Sequence, residues 1–382
     1  MTGGDRPVSA RQGHFNQSRE MAEQSVPGKA DLGLLDSIAH PALPGCPLSL
    51  TGRIEQTEPE AFRLVLTHPV GEFSSRYEAL VRSVLERSVG QNVALETVLD
   101  IPVGPKQDNQ PVPEGVKNLL AVASAKGGVG KSTVAVNLAL SLSRLGARVG
   151  ILDADIYGPS LPAMLGIDQA PEVETSGQKL KPVMRYGLSC MSIGLLVDTD
   201  QAMIWRGPMV TQALQQLLYQ THWPELDYLV IDLPPGTGDI QLTLAQRVPL
   251  SGALIVTTPQ KISVLDARRG IRMFEKVRVP VLGIVENMAT FNCPHCGKES
   301  AVFGTGGGRA LATECGVGDL GSLPLVPGLC GRMDEGAPPA ASEPQSELAQ
   351  RFLVLAHEVG ARLAASVAES AGRTPAIIVE EA

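Results

Sequence analysis

The chain has 382 residues, 43% of them hydrophobic, with a formal net charge of −8. That length suits two domains with a large core, and the shortage of Lys and Arg argues against a general nucleic-acid binder. The opening residues lack the apolar stretch of a signal peptide, and no apolar run approaches the roughly 18–20 residues of a membrane span, so the expectation is a cytoplasmic protein with no membrane partner.

Residues 1–30 are polar, without a sustained period, and read as a disordered leader. Residues 31–100 read as a small α/β domain. Phe62 to Thr67 and Val93 to Leu99 are strand-like, and Ser75 to Val89 is helical with Leu80, Val84 and Leu85 on one face. His40, Cys46 and His68 stand isolated there and read as packing or surface residues. Residues 101–117 carry four prolines and two glycines and read as a linker. Residues 118–367 alternate strand and helix. Short apolar runs at Arg148 to Leu152, Asp227 to Leu233, Gly252 to Thr257 and Pro280 to Val285 are separated by helical segments such as Val210 to Leu218 and Ser263 to Phe274. That alternation predicts a mostly parallel sheet with helices on both faces, and ligands at the carboxyl ends of its strands. Glu347 to Val367 reads as a helix whose stripe of Leu348, Phe352, Leu355, Val359 and Leu363 faces the core. Residues 368–382 read as a mobile tail.

The stretch Lys126-Gly127-Gly128-Val129-Gly130-Lys131-Ser132-Thr133 lies between an apolar strand and a long apolar helix. That is the context of a phosphate-binding loop. Glycines let several N–H groups turn toward one anion, and the following helix adds the positive end of its dipole. Lys131 can then reach the β- and γ-phosphates, Ser132 can ligate Mg²⁺, and Thr133 is placed for the α-phosphate. Asp153 and Asp155 end the next strand, where a carboxylate can orient the attacking water or hold Mg²⁺ through water. Asp232 ends the hydrophobic strand DYLVID and is a Mg²⁺ candidate. It precedes Pro234-Pro235-Gly236-Thr237-Gly238-Asp239, where Gly236 can offer its N–H to the γ-phosphate and move when that group leaves.

A second chemical centre is Cys293-Pro294-His295-Cys296-Gly297. Two cysteines at this spacing can aim both sulfurs at one ion, in zinc or in an iron–sulfur cluster, and His295 reads as exposed and non-ligating. In a reducing compartment a close pair binds metal more readily than it forms a disulfide. A redox pair of the thioredoxin kind would open a helix after a first strand, and this one does not.

The early lysine makes KGGVGKST resemble the deviant phosphate loop of the ParA/MinD/nitrogenase-iron-protein superfamily. That resemblance implies an ATP-dependent homodimer in which Lys126 reaches the partner's nucleotide. The ordered motifs KGGVGKST, ILDADIYGPS, IWRGPM, IDLPPGTGD, VTTPQ, GIVENM and CPHCG together resemble the Mrp-type iron–sulfur cluster carrier ATPases over residues 115 to about 365. The resemblance implies a P-loop NTPase fold preceded by the small α/β domain. It implies ATP hydrolysis, with Gly127 to Thr133 on the phosphates, Lys126 and Lys131 as catalytic cations, Asp155 as the water-activating carboxylate, and Ser132 and Asp232 at Mg²⁺. It further implies Asn287 at the adenine and Cys293 and Cys296 on a labile 4Fe–4S cluster that passes to apo iron–sulfur proteins. Two departures stand out: Val70-Gly71-Glu72 replaces a cysteine found in some relatives, and Cys330-Gly331 replaces a frequent Arg-Glu pair. Each chain offers one CxxC and a 4Fe–4S cluster usually takes four cysteines, so two-fold symmetry predicts one cluster bridging a homodimer. A partition ATPase would need a basic surface or tail. A nucleotide-gated scaffold with structural zinc would differ in its metal.

Overall fold

The computed structural model describes residues 33–58, 60–89, 93–104, 110–168, 170–172, 179–196 and 207–373. The leader expected over 1–30 and residues Ile204, Trp205 and Arg206 of the IWRGPM motif lie outside them.

The amino-terminal part contains β1 (Gly52–Glu58), β2 (Ala61–Leu66), α1 (Ser74–Val89) and β3 (Ala94–Leu99). β1 pairs antiparallel with β2, and β2 pairs parallel with β3. On β2, Phe62, Leu64 and Leu66 alternate toward α1 and are buried, the period expected of a half-buried strand. The helix buries Tyr77, Val81 and Leu85, whereas Leu80 is exposed. This corrects the expected Leu80 face: the i, i+4, i+8 stripe runs through Tyr77, whose ring supplies more apolar area than Leu80.

The segment expected to be a linker is hydrogen-bonded across 105–109, its first residues to its last and to β4. Ile101 is buried in the main core. Lys117 donates to the Ile101 carbonyl at 2.9 Å and Asn118 to the Pro102 carbonyl at 2.9 Å. The first strand of the larger unit starts at Val116, two residues before the expected boundary.

That unit comprises β4 (Val116–Ala123), α2 (Lys131–Arg144), β5 (Val149–Asp153), α3 (Leu161–Leu165), β6 (Val183–Arg185), β7 (Leu188–Ser192), α4 (Gly207–Tyr219), β8 (Leu226–Asp232), α5 (Asp239–Arg247), β9 (Gly252–Thr257) and α6 (Lys261–Lys276). It continues with β10 (Val281–Glu286), β11 (Phe291–Asn292), β12 (Glu299–Ser300), α7 (Gly307–Cys315), β13 (Asp319–Ser322), α8 (Leu329–Asp334), α9 (Pro339–Ser342) and α10 (Glu347–Arg373). Eight of these strands form one sheet in the order β13-β10-β9-β4-β8-β5-β7-β6, parallel except for the antiparallel edge pair β6–β7. The α/β class and mostly parallel sheet expected from the strand–helix alternation are therefore found.

Both faces are covered, which is why the central strands are apolar at consecutive positions. Leu120, Val122, Ile151 and Val230 pack toward α2 and α10. Leu119, Ala121, Leu152 and Ile231 pack toward α4, α5 and α6. The expected stripe on α10, from Leu348 through Phe352, Leu355 and Val359 to Leu363, is buried throughout. The helix runs to Arg373, past the expected tail boundary.

The two units meet through a polar cluster inside an apolar junction. Tyr77 Oη lies 2.9 Å from His68 Nε2 and 2.8 Å from His357 Nε2 of α10. His357 stacks on Phe73 with ring centroids 4.3 Å apart, and His40 lies 5.2 Å from His68 by the same measure. His40 and His68, which read as isolated along the chain, thus belong to one buried group. Among the described residues no helix is long and apolar enough to cross a membrane.

Candidate nucleotide site and cysteine ribbon

Ala123 ends β4 and the chain turns through residues 124–130 into α2. Gly128 and Gly130 adopt φ of 78° and 82°, a left-handed conformation that a side chain would strain. A Cβ at Gly127 or Gly128 would meet nothing within 4 Å, so the outer face of the loop is an open cradle. At Gly130 a Cβ would lie 2.3 Å from Asn287 Nδ2, so only glycine admits that side chain. Asn287 follows β10 and donates Nδ2 to the Val129 carbonyl at 2.9 Å. The residue associated with adenine in the resemblance is thus in contact with the phosphate loop itself. Lys126 is exposed at the loop's rim, and Ser124 Oγ donates to its carbonyl at 3.0 Å.

Beneath the loop lie three carboxylates and one ammonium. Lys131 Nζ contacts Asp232 Oδ1 and lies 3.2 Å from Ser132 Oγ. The Lys131 and Asp232 side chains are only 6% and 3% exposed, so this is a buried ion pair. Strand register explains the convergence: Asp153 of β5 pairs directly with Asp232 of β8 at the carboxyl end of the sheet. Asp153 is fully buried and saturated with donors. Oδ1 accepts the Asp155 N–H at 3.0 Å, and Oδ2 accepts Ser160 N–H at 3.0 Å, Leu161 N–H at 3.1 Å and Ser192 Oγ at 3.1 Å. Burial, and then the Asp232 charge, push the Asp153 carboxyl up to about 7. Asp155 is half-buried on the loop that Asp153 organises; burial raises its pKa and the Lys131 charge opposes that rise.

Hydroxyl and carboxylate oxygens of Ser132 and Asp232 thus already converge on one cationic nitrogen. Such a hard-oxygen pair fits a Mg²⁺ ion. The Gly236 N–H, expected at a γ-phosphate, donates to the Ser124 carbonyl at 2.8 Å, with Gly236 at φ 118°. Thr133 follows Ser132 in the first turn of α2 and is half-buried.

The cysteines are built differently. β11 and β12 form a two-stranded ribbon beyond the sheet, and its turn carries the CxxC. The Cys293 N–H donates to the Lys298 carbonyl at 3.1 Å, and the N–H of Gly297, a residue at φ 69°, donates to the Cys293 carbonyl at 2.8 Å. Cys293 is half-exposed and residues 294–302, including Cys296 and His295, are exposed. The His295 and Cys296 N–H groups and the Cys296 thiol hold the Cys293 thiol below its usual range. Among the described residues no group of three or more His, Cys, Asp and Glu side chains is arranged to hold a metal. Cys190 is buried on β7, Cys46 lies in the amino-terminal part, Cys315 ends α7 and Cys330 is exposed on α8.

Glu286 escaped the sequence reading. It is 5% exposed, with Oε1 accepting Gly306 N–H at 3.0 Å and Oε2 accepting Gly308 N–H at 2.5 Å. The signal that marks it is Gly306-Gly307-Gly308, small residues that admit a carboxylate to the start of a helix.

A family model described as ParA, NUBPL iron-transfer P-loop NTPase, matches residues 115–360. The chain is 55% identical over 255 residues to an iron-sulfur cluster carrier protein of Escherichia coli strain K12, covering 67% of this chain and 69% of that one. It is 49% identical over 247 residues to the iron-sulfur cluster transfer protein NUBPL of Dictyostelium discoideum, covering 64% of this chain and 76% of the other. Among solved structures it is similar to a nucleotide-binding protein from Archaeoglobus fulgidus in complex with ADP, with 38% identity and a TM-score of 0.53 over 62% of this chain and 91% of that chain.

Proposed function

The chain belongs to the ParA-type NUBPL family of iron-transfer P-loop NTPases, and from that premise we propose that it is a cytoplasmic ATPase that carries a labile 4Fe–4S cluster to apo iron–sulfur proteins. The observation that carries this reading is the pairing of a solvent-facing CxxC, whose Cys293 thiol is held below its usual range, with a glycine cradle above a buried Lys131–Asp232 pair. The named roles of the E. coli and D. discoideum relatives point the same way.

Gly127 to Gly130 present backbone N–H groups to the ATP phosphates. Lys131 exchanges Asp232 for the β- and γ-phosphates, a swap of one anionic partner for another inside a dry site. Ser132 and Asp232 hold Mg²⁺, which supplies neutralisation of phosphate charge. Thr133 lies against the α-phosphate, and Asp155 orients the attacking water. Lys126, at the exposed rim, reaches the nucleotide of a second copy, so the competent form is a homodimer. Asn287 braces the loop through Val129 and turns toward the adenine.

Each ribbon supplies two thiols, and the other four cysteines lie outside it. A four-cysteine cluster is then completed by Cys293 and Cys296 from each of two copies. The exposed turn leaves the cluster open to a recipient. Anaerobic reconstitution should give about four iron and four sulfide per dimer, and restore activity to an apo-enzyme that requires such a cluster. Zinc without sulfide at the same cysteines would replace the carrier by a structural-zinc scaffold. Removing residues 1–117 tests the domain assignment: the fragment retains every motif but loses the first two residues of β4 and the Tyr77 contact to His357.

A further inference from the structure

Two consecutive residues at the end of β10 tie down both ends of the segment that carries the cysteine ribbon. Asn287 holds the Val129 carbonyl of the phosphate loop. Its own N–H donates to the Thr257 carbonyl at 2.8 Å, fixing it to β9. Glu286, one residue earlier, holds the other end of the ribbon segment through Gly306 and Gly308 at the start of α7. Both approaches are close. A Cβ on Gly308 would lie 3.0 Å from Glu286 Cβ and 3.2 Å from Oε2. One on Gly307 would lie 2.8 Å from Val264 Cγ2 of α6. A carboxylate buried against backbone donors at a helix start is held firmly, because each bond is charge-assisted.

Segment 288–305 lies between these anchors and carries Cys293 and Cys296. On its incoming side, Ala289 donates to Leu323 O at 3.0 Å, and Leu325 donates to Thr290 O at 2.7 Å. On its outgoing side the tie is the Glu286 carboxylate. Met288, just after the anchor, sits at φ 58°, a strained conformation for a side-chain-bearing residue. Strain at such a point is maintained only by what surrounds it, here the two anchors.

We infer that Glu286 is a positioning residue that couples nucleotide at the phosphate loop to the presentation of Cys293 and Cys296. A nucleotide that shifts Val129 or recruits the Asn287 amide displaces the end of β10. Glu286 transmits that displacement to Gly306 and Gly308, and so to the far end of the ribbon. The coupling element has two arrangements, with the Asn287–Val129 bond made or released, and both sites bias it. The inference rests on the ribbon being the cargo site, but its test does not need cargo.

The experiment uses the full-length reduced chain without iron. Alkylation rates of Cys293 and Cys296 are read by mass spectrometry with and without Mg²⁺ and a non-hydrolysable ATP analogue, alongside hydrogen exchange of segment 288–305. In the wild type the analogue should change the alkylation rate about fivefold or more, the lower range of ordinary allosteric coupling. Glu286→Gln keeps the shape but replaces one acceptor by a donor facing an N–H, and should shrink that response below about twofold. Analogue affinity and ATP turnover should stay near wild type. Gly308→Ala presses on the same carboxylate from the helix side and should act alike, which guards against a folding defect in the first variant. A wild-type ribbon indifferent to the analogue would overturn the coupling, as would a full response in both folded variants. A ribbon that responds to nucleotide yet takes up no iron would remove the cargo reading and leave the coupling standing.

Discussion

Lys131 and Asp232 sit at 6% and 3% side-chain exposure beneath the phosphate loop, while the CxxC turn stands in solvent on a two-stranded ribbon. The nucleotide site is built from strand ends: register sets Asp153 beside Asp232, and the sheet is packed on both faces. Its charges are desolvated, so each one left without its partner is costly. The ribbon has only a short ladder and two backbone bonds around its turn. The difference matches the roles proposed for each. Charge on a transferring phosphoryl group is stabilised by fixed, water-excluded donors. A group that must leave intact needs an open side, and an exposed thiol pair provides one at almost no cost to the fold.

That contrast is sharpest at Lys131. Lys131→Ala should reduce ATP turnover by about 10²–10³, the usual loss when one transition-state electrostatic contact is removed. It should also destabilise the fold by roughly 3–5 kcal/mol, because Asp232 is left buried beside Asp153. Turnover and a denaturant titration measured together check both. A variant with wild-type turnover would mean that Lys131 is only the counter-ion of Asp232. Asp155→Asn should slow hydrolysis by about 10², near the low end for a general base, because half-exposed Asp155 leaves water another route. Nucleotide affinity, read by titration with a non-hydrolysable analogue, should change little. Lost binding with unchanged kcat would reassign Asp155 to Mg²⁺ or to loop folding.

At the ribbon the effects should separate the other way. Cys293→Ala or Cys296→Ala should abolish iron uptake and leave ATP turnover within about twofold. Stability should change by no more than about 0.5 kcal/mol, as at other exposed sites. Ala at Cys46, Cys190, Cys315 or Cys330 should leave iron uptake intact. A large stability loss at Cys293 or Cys296 would mean that the ribbon is a structural element and not an open carrier site.

The fold was legible where periodicity and strand ends carry it. The strand runs of the main sheet and the α10 stripe are local patterns that burial demands, and the glycine loop is a local pattern that left-handed backbone at Gly128 and Gly130 demands. Other features depend on distant residues. Leu80 reads inward because it is apolar, but the stripe is set by Tyr77, whose hydroxyl finds a partner 280 positions away in His357. β1 (Gly52–Glu58) carries no alternation in its sequence, because only Ile54 of its residues is buried. Glu286 sits in a motif read for its Asn287, and its partners Gly306 and Gly308 look like ordinary turn glycines until the helix start is seen. No residue spacing reveals that His40, His68 and His357 meet.

That histidine group gives the one predicted effect that touches neither activity nor iron uptake. Burial pushes His40 and His357 down to about 4, and holds His68 well below its ordinary value with help from the His40 and His357 charges. His40 Nδ1 accepts the N–H groups of Ala42 at 3.0 Å and Leu43 at 3.1 Å, which only the neutral ring can do. His68 Nδ1 is buried without a hydrogen-bond partner, and Arg76 opposes added charge near His357. In the unfolded chain these rings take up a proton near pH 6.5. Below that pH the unfolded state binds more protons than the folded one, so stability falls with acid between about 6.5 and 4. His40 and His357 should each contribute roughly 1–2 kcal/mol of this loss at pH 5. Asp153, held up to about 7, has the opposite sign: its folded form keeps a proton that the unfolded chain has released, so acid favours the fold there. The wild-type slope is therefore a sum of opposed contributions. The difference between wild type and His357→Gln isolates the junction, since Asp153 is common to both. Melting temperatures at pH 7 and pH 5 should converge in His357→Gln by a few degrees relative to wild type, at about 2–4 °C per kcal/mol for a unit of this size. Equal acid shifts in the two proteins would mean that the junction opens before its histidines titrate, and that the amino-terminal unit is held by apolar packing alone.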